Sequence, residues 1–217
     1  MEGSKVFFID FDLNSPSDFG TTEHVIKVDI KPVNNTLVCS SLSNDFAAIL
    51  NSKEFSDVTL VAQNGCEFKA HKVILCARSQ VLAAMFRNDL EESKTNRIRI
   101  DDMDADVIEE MLKYIYTGGN IPQKLAAELF MAANKYSLLD LQILCEEILI
   151  NTMEIATVAD ILFLADRHSN ERLKTKAVQF IVNNIKALPA TEGWKKLRQT
   201  DHELCMDVLE IAIQERL

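Results

Sequence analysis

"SDVTLVAQNGCEFKAHKVILCARSQVLAAMF", Ser56–Phe86, is the stretch whose reading decides the fold. "SDVTLVA" has the apolar, β-branched density of a strand, "NG" is the dipeptide of a tight hairpin turn, and "CEFKA" is the return strand. That strand runs straight into His71-Lys72 and then into a helical pattern. Ser79 is placed to cap a second helix, which carries Val81, Leu82, Met85 and Phe86. The hairpin delivers Phe68 to a core, and His71 and Lys72 stand at the strand-to-helix turn.

Downstream, "NRIRI" reads as one more strand. "DADVIEEMLKYIYTG" is amphipathic, with Val107, Ile108, Met111, Leu112 and Ile115 on one face and Gly118 as its stop. Helices are expected at about 123–135 and 138–150. After Asn151 the chain reads as wholly helical. Val158, Ile161, Leu162 and Ala165 form one stripe of 3.6 period, and Leu173, Ala177, Phe180 and Ile181 form the next. Pro189 breaks the run, a shorter helix surrounds Trp194, and a last one covers 201–215. Helix pairs with short connectors make an αα extension.

Upstream, Leu42, Phe46, Ile49 and Leu50 fall at helical spacing and predict a short helix over 42–50. Such a helix is too short to stand alone. Its stripe needs either a seat in the core or a second subunit. Residues 1–40 read as β, with "KVFFIDFDL" and "HVIKVDIKPV" as strands around a loop. Two strands cannot hide an apolar face by themselves.

With 217 residues, 47% apolar and 26% charged, the chain is long enough for a real core without disulfides or a structural metal. Its net charge of −10 and its lack of a basic stripe argue against a nucleic-acid partner. Acidity favours solubility or a basic partner surface. The five cysteines are widely spaced, with no CxxC pair, so no zinc site is expected. No signal peptide and no membrane span is read, which fits a reducing compartment, cytosol or nucleus.

Catalytic patterns are absent. The four histidines, His24, His71, His168 and His202, share no metal spacing, and no GxSxG, P-loop or GxGxxG occurs. Glu91-Glu92, Glu109-Glu110 and Glu146-Glu147 are adjacent carboxylates on helices. Neighbouring helical residues diverge by about 100°, so these pairs read as solvated faces, not acid/base dyads. Cys76 near His71 lacks a third group that would make it a nucleophile. No enzyme, no cofactor and no metal is expected.

The run from Ser56 to Phe86, followed by "IYTGG", resembles the BTB/POZ family. "MFRNDLEESKTNRIRIDD", "AANKYSLLDLQILCEE", "LADRHSNERLKTKAVQFI" and Glu192-Gly193-Trp194 resemble its MATH–BTB branch. The resemblance covers about residues 40–217 well and 1–40 weakly. It implies an α+β BTB/POZ fold, a small sheet flanked by helices, followed by an all-helical BACK-like extension. The implied layout is a partial MATH-like β segment at 1–40, a dimerisation helix at 41–52, a BTB/POZ domain at 53–150 and the extension at 151–217. Most of a MATH domain, the substrate-binding β sandwich of that branch, is missing.

The resemblance also implies partners. Leu42, Phe46 and Ile49, with Ile74 opposite, would form a two-fold homodimer interface, and Asp57 would pair Lys72 at or near the dimer groove. His71 and Arg78 read as structural. A hydrophobic-x-Glu motif, Leu90 and Glu92, with Phe86 lining the same groove, would bind cullin-3. Relatives place an aromatic near Leu209, a departure that bears on one cullin contact. The expected function is a non-enzymatic dimeric adaptor of a cullin-3 ubiquitin ligase for an unknown client. The alternatives are a modulator that heterodimerises with full-length MATH–BTB chains, or a plain oligomerisation module.

Overall fold

The computed structural model describes residues 35–87 and 91–214. The β segment expected at the N-terminus therefore falls outside the described residues over 1–34, as does Leu90.

The hairpin forms as its sequence dictates. Strand β1 (Val58–Ala62) pairs antiparallel with β2 (Glu67–Ala70), Leu60 opposite Phe68. Gly65 takes φ +84°, a conformation that side chains disfavour, while Asn64 Oδ1 accepts from the Cys66 N–H at 3.0 Å. Three helices follow: α2 (Lys72–Arg78), α3 (Gln80–Arg87) and α4 (Glu91–Thr95). They make the crossover that lets β3 (Arg97–Ile100) lie parallel to β1, giving the sheet order β2-β1-β3. Val58, Leu60, Ala62, Ile98 and Ile100 are buried.

Helix α1 (Asn35–Ser52) is longer than the 42–50 expected, and residues 35–40, read as the end of the β segment, are helical. Its earlier residues lack the apolar stripe that marks 42–50, so periodicity alone stopped short. Helix α5 (Ala105–Thr117) buries the five residues expected and also Tyr114 and Tyr116. It ends at Gly118, φ +63°, whose N–H donates to the Tyr114 carbonyl. After a short 3-10 turn come α6 (Ala126–Lys135) and α7 (Leu139–Asn151). Ser79 caps α3 by accepting from the Leu82 N–H at 3.1 Å. Its own hydroxyl donates to the Tyr136 carbonyl at 2.6 Å, so one buried side chain ties α3 to the end of α6.

The extension consists of α8 (Val158–Arg167), α9 (Glu171–Asn183), α10 (Glu192–Thr200) and α11 (His202–Gln214), with a 3-10 turn at Leu188–Ala190 around Pro189. Gly193 sits where α10 crosses α8. A Cβ there would meet the Ala156 carbonyl at 3.3 Å and the Ala159 side chain at 3.4 Å, so the crossing distance depends on glycine. Trp194 beside it is buried.

Candidate functional site

The first surface lies between α1, α2 and the end of α5. Leu42, Phe46, Ile74, Val73 and Ala77 line an open groove of about 600 Å³, with buried Ile115 deeper in its wall. Leu42 is 57% exposed and Val73 is 75% exposed, values that leave apolar area in water on one side of the chain. Ile49 is exposed one helical turn beyond Phe46. The structure thus brings Leu42, Phe46 and Ile74 together. Arg78, read as structural from sequence, is an exposed residue on the groove lining.

Asp57 and Lys72 do not form the charge pair expected. Asp57 is exposed, and its carboxylate accepts from the Lys72 backbone N–H at 2.8 Å, so it caps α2 from a neighbouring loop. The Lys72 ammonium instead donates to Asn96 Oδ1 and lies 5.2 Å from the centre of the Phe86 ring. The side chain extends away from the α2 N-terminus, where Asp57 sits.

His71 is buried and fully used. Its Nε2 lies 2.7 Å from the Glu54 carbonyl, which only accepts, so Nε2 carries the proton. The Tyr116 hydroxyl therefore donates to Nδ1 at 2.7 Å while accepting from the His71 backbone N–H at 2.8 Å. Burial first of all pushes the Tyr116 hydroxyl up to about 12, which keeps it a donor. Neither ring nitrogen is left for Cys76. Burial likewise pushes the Cys145 thiol up to about 12, away from thiolate chemistry.

Of the second expected surface, Leu90 lies outside the described residues, and Phe86 and Glu92 do not share one groove. Phe86 is half-buried beneath Lys72. Glu92 instead shares a polar depression of about 280 Å³ with Val61, Thr95, Arg97 and Arg99. Phe86 does not line that depression. Leu209, on α11, is half-buried against the helical core.

Sequence reasoning missed the junction between α7 and α9. Glu146 is buried, not solvated: Oε1 accepts from Arg172 at 2.7 Å, and Oε2 accepts from Asn170 Nδ2 at 2.9 Å. The other end of the Asn170 amide caps α9 by accepting from the Leu173 N–H at 2.8 Å. Arg172 also donates to Glu147, so the adjacent carboxylates converge on one guanidinium. A second pair, Lys174 to Asp166 at 2.6 Å, ties α9 to α8. The only sequence signal was Asn170 at an N-cap position ahead of an apolar stripe. A larger groove, about 950 Å³, opens alongside, between α6, the end of α7 and α8.

Among the described residues no cluster of His, Cys, Asp and Glu could hold a metal ion, and no helix is long and apolar enough to cross a membrane.

The BTB/POZ domain family matches residues 46–153, and the family described as BPM/SPOP, BACK domain, matches 157–209. Among solved structures, the BTB domain of zebrafish PATZ1 is similar at 18% identity and a TM-score of 0.46. The match covers 56% of this chain and 99% of that one.

Proposed function

From the premise that the chain belongs to the BTB/POZ family, with the BPM/SPOP type of BACK domain behind its BTB domain, we propose that it is a dimeric, non-catalytic adaptor of a cullin-3 ubiquitin ligase. That domain order is the C-terminal architecture of MATH–BTB chains, which are adaptors rather than enzymes. The order of the two domains is the observation that carries the reading. The open apolar groove of α1 and α2 supports the dimer, because a two-fold interface is the commonest way to cover such a face. Leu42, Phe46, Ile49 and Ile74 are its contacts. Phe86, Leu90 and Glu92 are the cullin contacts, with Leu90 as the apolar anchor. The helices after Asn151 add contact area. The client is a protein bound elsewhere on the chain.

Calorimetry of the full chain with the N-terminal domain of cullin-3 tests this. One cullin per chain is expected, with binding lost in Leu90→Asp and in Glu92→Lys. A folded dimer that binds no cullin sinks the adaptor reading and leaves oligomerisation as the function.

A further inference from the structure

Of the described large apolar side chains, Phe55 is the most exposed, at 94%. It is also one of the few non-glycine residues with positive φ, at 57°. A bulky aromatic rarely adopts that conformation, and does so where its surroundings over-determine the backbone. Here they do. The Ser56 N–H donates to the Lys53 carbonyl, the Asp57 N–H donates to the Ala70 carbonyl at 3.1 Å, and His71 Nε2 donates to the Glu54 carbonyl at 2.7 Å. The same imidazole holds Tyr116, which lines the groove of α1 and α2. Phe55 is therefore the residue next to a carbonyl fixed to the wall of that groove.

We propose that Phe55 is an aromatic anchor of the dimer, seated in the partner's groove against Leu42, Phe46, Val73 and Ile74. This rests on the dimer reading above and adds to it a residue outside the α1 stripe. An isologous interface needs its projection and its recess on the same chain, because each surface meets its own copy. This chain has both: a rigidly displayed ring and a groove of about 600 Å³. A second copy also fits by charge. At a net charge of −10, two copies repel over most orientations. The groove lining contains no carboxylate and one cation, Arg78, so joining two copies there apposes none of the acidic groups that make the chain negative. Aromatic side chains are the usual centre of such contacts.

The test is sedimentation equilibrium of the full chain, comparing wild type, Phe55→Ser, Phe55→Leu and Leu42→Asp. The expected result is a dimer whose dissociation constant rises at least about 30-fold in Phe55→Ser, with partial recovery in Phe55→Leu. Leu42→Asp is expected to be monomeric. If Leu42→Asp is monomeric while Phe55→Ser dimerises as tightly as wild type, the anchor is refuted and the dimer reading stands. If wild type is monomeric, both fail. Should Phe55→Ser misfold, Phe55→Trp decides. The introduced indole is expected to shift its emission to the blue as concentration drives dimerisation, against the constant signal of buried Trp194. Emission that stays red in the dimer means the ring remains in water, and overturns the proposal.

Discussion

Two sides of the BTB domain meet their surroundings differently. On the side of α1 and α2, apolar side chains such as Leu42 and Val73 end in water, and the only cation on the groove lining is Arg78. On the side of α7, a carboxylate, Glu146, is buried, yet each of its oxygens has a donor from the BACK domain. Burying apolar surface gains about 25 cal/mol per Å², so covering the first side would be stabilising. A buried charge without partners would cost several kcal/mol, so the second side stands only because it is completed within the chain. Polar groups buried and satisfied tie the two helix sets together, whereas the open apolar groups form the face on which the proposed dimer rests.

Three variants sharpen that contrast. The largest effect is expected from Glu146→Ala, which removes the charged acceptor that Asn170 and Arg172 share. Urea unfolding should show a loss of about 2–3 kcal/mol, as for hydrogen bonds to a charged group, and dimer affinity should not change. A Glu146→Ala chain of unchanged stability would show that the junction is not held by this carboxylate; a weakened dimer would show that the two sides are coupled.

A smaller effect is expected at the edge of the groove. If Asp57 acts as a helix cap, Asp57→Ala should cost about 1 kcal/mol. Lys72→Met should cost less, since its ammonium is not the partner of Asp57. Equal losses, with strong coupling in the double variant, would restore the ion pair.

The mildest effect at neutral pH concerns burial in the BTB core. The Cys145 thiol is raised from 9.0 to about 12, and the Tyr116 hydroxyl from 10.0 to about 12. Both lose their protons more readily unfolded than folded. Their contribution is complete below pH 9 and is lost as pH rises through about 12. Thermal midpoints should therefore be level from neutrality to pH 9 and fall steadily above it. A level profile up to pH 12 would show that these groups are not desolvated.

Local features were legible. The Asn64-Gly65 turn, the Ser79 cap and the Gly118 stop each depend on residues a few positions apart, so their chemistry is written in sequence. The stripe of Leu42, Phe46 and Ile49 was legible as apolar, and so was its need for a seat in the core or on a second subunit. Glu146 and Glu147 differ in exposure, Glu146 being buried while Glu147 keeps much of its side chain in water, yet both reach one guanidinium. What could not be seen was Arg172, brought over from the next helix pair to join them.

The sequence by itself determined the strands of the hairpin and crossover, most of the helices, and the Ser79 and Gly118 ends, because propensity, periodicity and turn chemistry act over a turn or two of chain; the order of the two domains came from the resemblance to a known family. Tertiary structure alone decided that Asp57 caps a helix instead of pairing with Lys72. It alone decided that His71 is locked between Glu54 and Tyr116, 45 residues away from the latter. It also decided that Phe55 stands in water while Glu146 does not. Those outcomes depend on which groups folding brings within about 3 Å, a distance at which hydrogen bonds act and which no local pattern records.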